Sequence, residues 1–221
     1  MNIIYILLAG LTGYVFGAIP FGLIFVRMVK GVDLREVGSG RTGGTNSMRA
    51  AGFGIGLLTF LMDVLKGATA VWLARLLFGD AFPAEWRPWA DIMAGTTAVI
   101  GHNWSVFLKF KGGAGTGPNV GWATAVWWPM FPINFAIGGL ILRKQGMASV
   151  ASLVVAGLII VIFAGRYVMG ADATAAYMIG GFVTAVIVAW SLRPNIQRIL
   201  AGKERVVGPR SQKQANEKKE K

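Results

Sequence analysis

The 221-residue chain contains no cysteine and a single histidine, His102. The first absence excludes disulfides, thiolate nucleophiles, Cys-ligated zinc and iron–sulfur clusters within the chain. The second leaves too few ligands for a histidine-based metal site. Acidic residues are also scarce, 10 against 22 Lys and Arg, which gives a formal net charge of +12. Chemistry must therefore fall to hydroxyls, amides, basic groups, a few carboxylates or the substrate itself. Neither a metal nor a cofactor is expected.

What the chain has in quantity is apolar surface. Hydrophobic residues make up 54% and charged residues only 14%, too apolar for an ordinary soluble domain. The fold class this predicts is an all-α polytopic membrane protein. A charge of +12 can also signal nucleic acid, but the basic residues cluster between and after apolar segments, as in cytoplasmic loops facing anionic headgroups. No nucleic-acid partner is expected; the partner is the lipid bilayer. No Lys or Arg precedes the first apolar run, which is longer than a signal-peptide core, so it reads as a span.

A membrane crossing takes about 20 mostly apolar residues. Seven candidates occur, at about 3–25, 54–78, 89–106, 119–128, 132–142, 148–163 and 174–192. The fourth and fifth are short, divided because Pro129 and Pro132 interrupt one long apolar stretch. A single kinked helix there would make six. Lys and Arg favour the cytoplasmic side, and this decides between the counts. Seven spans with the N-terminus outside and the C-terminus cytoplasmic place 18 of the 22 basic residues inside. The exceptions are Lys66, within a span, and Arg75, Arg87 and Arg166 near the other face. Residues 1–207 then form one membrane domain, and 208–221 a basic cytoplasmic tail expected to be disordered.

Three polar segments meet on the cytoplasmic side of this topology. The first, GSGRTGGTNSMRAAG at 38–52, combines permissive glycines with the hydroxyls and amide of Ser39, Thr45 and Asn46 and the guanidinium of Arg49. It offers donors and no carboxylate, which suits a phosphate. The second, GHNWSVFLKFKGGAGTG at 101–117, has His102, Asn103, Lys109 and Lys111 among glycines. The third, RPNIQRILAGKE at 193–204, starts as an interfacial amphipathic helix. For each segment a plainer reading stays open: glycines also serve helix packing, and loop cations also obey the topology rule. Asp63 and Lys66, three residues apart within a span, read as a buried pair supporting the first loop, with substrate contact the lesser possibility.

GSGRTGGTNSMR, DVLKG, GHNWSVFLKFKGG and NIQRILAGKE, in that order, resemble the bacterial acyl-phosphate:glycerol-3-phosphate acyltransferases of the PlsY type. The resemblance implies a seven-helix inner-membrane enzyme with its active site on the cytoplasmic side. It implies transfer of an acyl group from a long-chain acyl phosphate to the 1-hydroxyl of sn-glycerol 3-phosphate, giving lysophosphatidate and phosphate. Neither a metal nor an acyl-carrier protein is implied, and no obligatory protein partner. Carried onto this chain, Ser39 and Arg49 contact a substrate phosphate, and Gly43, Gly44, Thr45 and Asn46 form an anion cradle. His102 and Asn103 orient substrate or support the first loop, while Lys111, Gly112, Gly113, Ser149 and Asn195 complete the pocket. Three positions depart from the family pattern. Ala114 stands where a lysine is usual, Leu192 where a histidine is usual, and Arg41 where a neutral residue is usual. These departures keep two alternatives in play: a diverged member using another acceptor, and a non-catalytic membrane protein that binds or transports a phospho-ligand or lipid.

Overall fold

A computed structural model describes residues 3–207; the tail expected to be disordered, 208–221, lies outside them. Ten α-helices follow one another, with no strand among the described residues. The first apolar stretch forms α1 (Ile3–Ala18) and α2 (Phe21–Lys30), which break at Ile19 and Pro20. Pro20 lacks the amide that would continue the ladder, and its ring crowds the preceding turn. The loop at 38–52 is only half a loop, because its second half folds as α3 (Gly44–Ala51).

Next come α4 (Phe53–Phe78), α5 (Arg87–Asn103), α6 (Thr116–Val126), α7 (Met130–Gln145), α8 (Ala148–Val168), α9 (Ala176–Ser191) and α10 (Arg193–Leu200). The expected split of the proline-containing stretch is present, between α6 and α7. However, α7 begins at Met130 and carries Pro132 within its first turn, where a missing amide removes no helical bond.

Helices occupy all seven expected regions, but they are unequal. Three segments are long and apolar enough to cross a membrane: Ile3–Lys30, Phe53–Ala81 and Ala148–Val168. A fourth qualifies if α9 and α10, bent by 67°, count as one. By contrast α5, α7 and α6, at 17, 16 and 11 residues, are shorter than an unaided crossing.

Close approach of small residues holds the bundle together. Gly13 and Gly17 of α1 are buried against α5, where an added Cβ would overlap the backbone carbonyls of Ala94 and Ala98. The α4–α6 contact is built the same way, with Gly67 on Pro118 and Gly121 on the Val64 carbonyl. Apolar helices gain little from burial away from lipid, so such backbone contact is where dispersion can favour association. Trp122 of α6 stacks on Phe163 of α8 with centroids 5.5 Å apart.

Near the far end of α4, Arg75 binds Asp91 through two hydrogen bonds of 2.9 and 2.7 Å. Arg75 also reaches the Ala125 carbonyl, and Tyr177 donates to Asp91 at 3.0 Å, so this cluster ties α4, α5, α6 and α9 together. Arg166 is likewise bound to Asp172.

Gly17→Leu should wedge α1 from α5 and destabilise the fold by about 2 kcal/mol or more, as overpacking does. Thermal unfolding in detergent should show a lower midpoint; an unchanged midpoint would contradict the packing described.

Candidate active site

The first polar segment owes its shape to one side chain. Gly38 and Gly40 adopt positive φ, 55° and 70°, which turns the chain sharply before α3. Asn46, buried in the first turn of α3, donates its amide to the carbonyls of Leu34, Val37 and Arg41 at 3.1, 2.8 and 2.8 Å. Its Oδ1 accepts from the Ser39 amide at 3.1 Å. Asn46 was expected to touch the anion; here its amide group is taken up in bonding the loop to itself. Gly43 enters α3 in an extended conformation with no side-chain cap. The helix N-terminus at Gly44 and Thr45 therefore presents backbone amides, a setting that favours an anion.

These residues face a cavity of about 530 Å³. One end is polar, lined by Ser39, Arg41, Gly43, Gly44, Thr45, Asn46, Arg49, His102, Ser149 and Asn195. The other is apolar, lined by Phe53, Leu57, Phe60, Phe135, Leu142 and Val155 from α4, α7 and α8. Ala114 and Leu192, two of the positions that depart from the family pattern, lie on the wall.

The structure does not bring every expected residue into that cavity. Asn103, Lys111, Gly112 and Gly113 line a second, smaller one of about 240 Å³, together with Arg193. The cause is local. After α5 the chain doubles back, with Gly112 and Gly113 donating to the carbonyls of Asn103 and His102 at 3.1 and 2.9 Å. Lys109 and Phe110 take positive φ in that turn. Among the described residues Arg41 alone lines both cavities.

His102 belongs to a buried cluster. Lys66 Nζ lies 2.9 Å from Asp63 Oδ1, 2.9 Å from His102 Nδ1 and 2.8 Å from the Ile19 carbonyl. An ammonium only donates, so Nδ1 accepts and a neutral His102 carries its proton on Nε2. That nitrogen faces Gly113, where any Cβ would overlap the ring. The Asp63–Lys66 pair thus supports α1 and His102, and makes no hydrogen bond to the first loop, which corrects the expectation from sequence.

The guanidiniums of the loop differ from those that meet carboxylates elsewhere in the fold. Among the described residues neither Arg41 nor Arg49 forms an ion pair, whereas Arg35, Arg75, Arg166 and Arg198 all do. Burial lowers the pKa of both; Arg198 adds to this for Arg41 and Arg205 for Arg49, while Glu204 opposes it.

Glu204 is the residue the sequence reasoning left out of the site. Its side chain, 4% exposed, accepts from Ser149 at 3.0 Å, Asn195 at 2.7 Å and Arg198 at 3.2 Å. It thereby fastens α10 to α8 at the cavity wall. The available signal was its place as a lone acid in NIQRILAGKE, among four basic residues from Arg193 to Arg205.

A family model described as glycerol-3-phosphate acyltransferase matches residues 7–202. The chain belongs to that family. It is 37% identical over 201 residues to a protein of Rubrobacter xylanophilus named glycerol-3-phosphate acyltransferase, covering 91% of this chain and 94% of the relative. A protein of Dehalococcoides mccartyi named glycerol-3-phosphate acyltransferase 3 is 36% identical over 215 residues, covering 93% and 97%. Among solved structures, the crystal structure of PlsY (YgiH), an integral membrane glycerol 3-phosphate acyltransferase, in its glycerol 3-phosphate form, matches with a TM-score of 0.77. The identity is 32%, covering 92% of this chain and 96% of that one. Its lysophosphatidic acid form matches at 0.74. Family membership and the apolar helices together make this an integral membrane protein.

Lys66→Met should be strongly destabilising, by about 3–5 kcal/mol, because it strands the Asp63 carboxylate. Asp63→Asn combined with Lys66→Met should recover part of that loss, and detergent-phase thermal unfolding would measure both. Additive effects would show that the two residues are not coupled.

Proposed function

We propose that this member of the family transfers the acyl group of a long-chain acyl phosphate to the 1-hydroxyl of sn-glycerol 3-phosphate, at the larger cavity. The observation that carries this reading is one space joining half-buried guanidiniums without carboxylate partners to an apolar cleft. An acyl phosphate has both chemistries. Its chain fits the cleft between Phe53, Phe60 and Phe135, and its phosphate suits Arg49, Ser39 and the amides at Gly44 and Thr45. Ser149 and Asn195 face the same space and would orient the acceptor.

The hydroxyl oxygen attacks the acyl carbonyl carbon, the bond from that carbon to the phosphate oxygen breaks, and phosphate leaves. The hydroxyl proton passes to a phosphate oxygen. The mixed anhydride is already activated, so holding two reactants in register supplies much of the rate. His102 would act as a donor through Nε2 rather than as a base through Nδ1, which Lys66 occupies. A different hydroxyl acceptor is the second reading, favoured by the apolar wall at Ala114 and Leu192.

Residues 1–207 would form one unit crossing the bacterial inner membrane seven times, its N-terminus outside and its site cytoplasmic. The absence of native cysteine makes this directly testable. Lys203→Cys should be labelled by a membrane-impermeant maleimide in inverted vesicles, and labelling in intact spheroplasts would overturn the orientation.

Purified protein given palmitoyl phosphate and glycerol 3-phosphate should release phosphate and form lysophosphatidate; no turnover at saturating acceptor would refute the reading. Arg49→Ala should lower turnover about 100-fold, the scale of one or two lost charge-assisted hydrogen bonds, while the protein stays folded.

A further inference from the structure

We propose that Arg41 is the residue that binds the acceptor's phosphate in this chain, an inference that rests on the function proposed above. The reaction brings two phosphates side by side, and the larger cavity has two half-buried guanidiniums without a carboxylate partner, Arg49 and Arg41. Arg49 stands four residues before Phe53 and the apolar cleft, which suits the acyl donor. Arg41 stands at the other side, where the two cavities meet.

The Arg41 side chain is only half satisfied. Nη2 donates to the Ser191 carbonyl, and Nη1 is buried with no hydrogen-bond partner. A buried cation left in that condition is unfavourable until an anion reaches it. A phosphate supplies both charge and the paired oxygens that a planar guanidinium binds best.

The surroundings narrow the ligand further. Asn103 donates to Ser191 Oγ at 2.7 Å, beside the carbonyl that Arg41 holds, and Asn103 Oδ1 is buried without a donor. Asn195 Oδ1 is in the same state on the wall of the larger cavity. Unused acceptors on the walls that Arg41 also lines suit a phosphate ligand that carries hydroxyl donors. Among the described residues no other cation lines both spaces: Lys111 and Arg193 line only the smaller cavity, Arg49, Arg143 and Arg205 only the larger, and positions 114 and 192 are apolar. Arg41 therefore takes the part that Ala114 and Leu192 cannot.

The test is steady-state kinetics with both substrates varied, on the purified full chain. Arg41→Gln keeps a donor for the Ser191 carbonyl and removes the charge. It should raise KM for glycerol 3-phosphate about 10- to 100-fold, with KM for palmitoyl phosphate within about twofold. Adding Ala114→Lys to Arg41→Gln should restore much of the acceptor KM. An unchanged acceptor KM, or a parallel rise in both constants, would overturn the proposal. Should Arg41→Gln fail to fold, Arg41→Lys decides: it keeps the charge without the fork and should raise only the acceptor KM, several-fold. Wild-type protein inactive with glycerol 3-phosphate would refute the function itself; active wild type with an indifferent Arg41 variant refutes only this assignment.

Discussion

The arrangement depends first on the Lys66 ammonium. Buried in α4, it is shared by Asp63 of its own helix, His102 of α5 and the carbonyl of Ile19 just after α1. Each contact removes part of the penalty for a charge in an apolar setting, and together they fix three segments in one register. That register decides which way His102 faces and, through Gly113, how close the returning segment can approach. No comparable anchor is available from the apolar faces alone, since one lipid-like surface packs on another with little preference.

The same accounting separates structural cations from the candidate functional ones. Arg75, Arg166 and Arg198 each meet a carboxylate, and each ties helices or turns together. Arg41 and Arg49 do not, although both line the larger cavity. A protein with 10 acids for 22 basic residues cannot neutralise every cation internally, so where unpaired ones are held partly out of solvent carries information. Here Arg41 stands just before the N-terminal end of α3, whose amides add further positive potential, and Arg49 stands in its last turn.

Asn46 and Glu204 complete the frame from opposite sides. Asn46 closes the loop that carries Ser39 and Arg41, and Glu204 draws Ser149 and Asn195 to the opposing wall. Each buries its polar group by satisfying it within the protein, which leaves the rest of the cavity's donors for a ligand. The bend of 67° between α9 and α10 falls where Pro194 starts α10, the helix that carries Asn195 to Glu204.

Much was legible in the sequence because it follows from composition and local pattern. Apolar run lengths located the seven helical regions, the prolines located the break before α7, and the glycine-rich order of motifs pointed to the family. Arg49, Ser39 and the 43–46 stretch were readable as one group because they are neighbours in the chain. Relations between distant segments were not readable. Sequence placed Lys111, Gly112 and Gly113 with the loop, yet the left-handed turn at Lys109 and Phe110 sends them to a separate cavity. Sequence gave Lys66 to the loop, while packing gives it to His102 and Ile19. Glu204 went unassigned because its partners lie 9 and 55 residues away. Hydropathy and spacing thus determine which segments become helices and which residue types carry the chemistry. Which polar atoms end up satisfied, and which are left for a ligand, is decided only when the helices pack, because a hydrogen bond needs both partners in place.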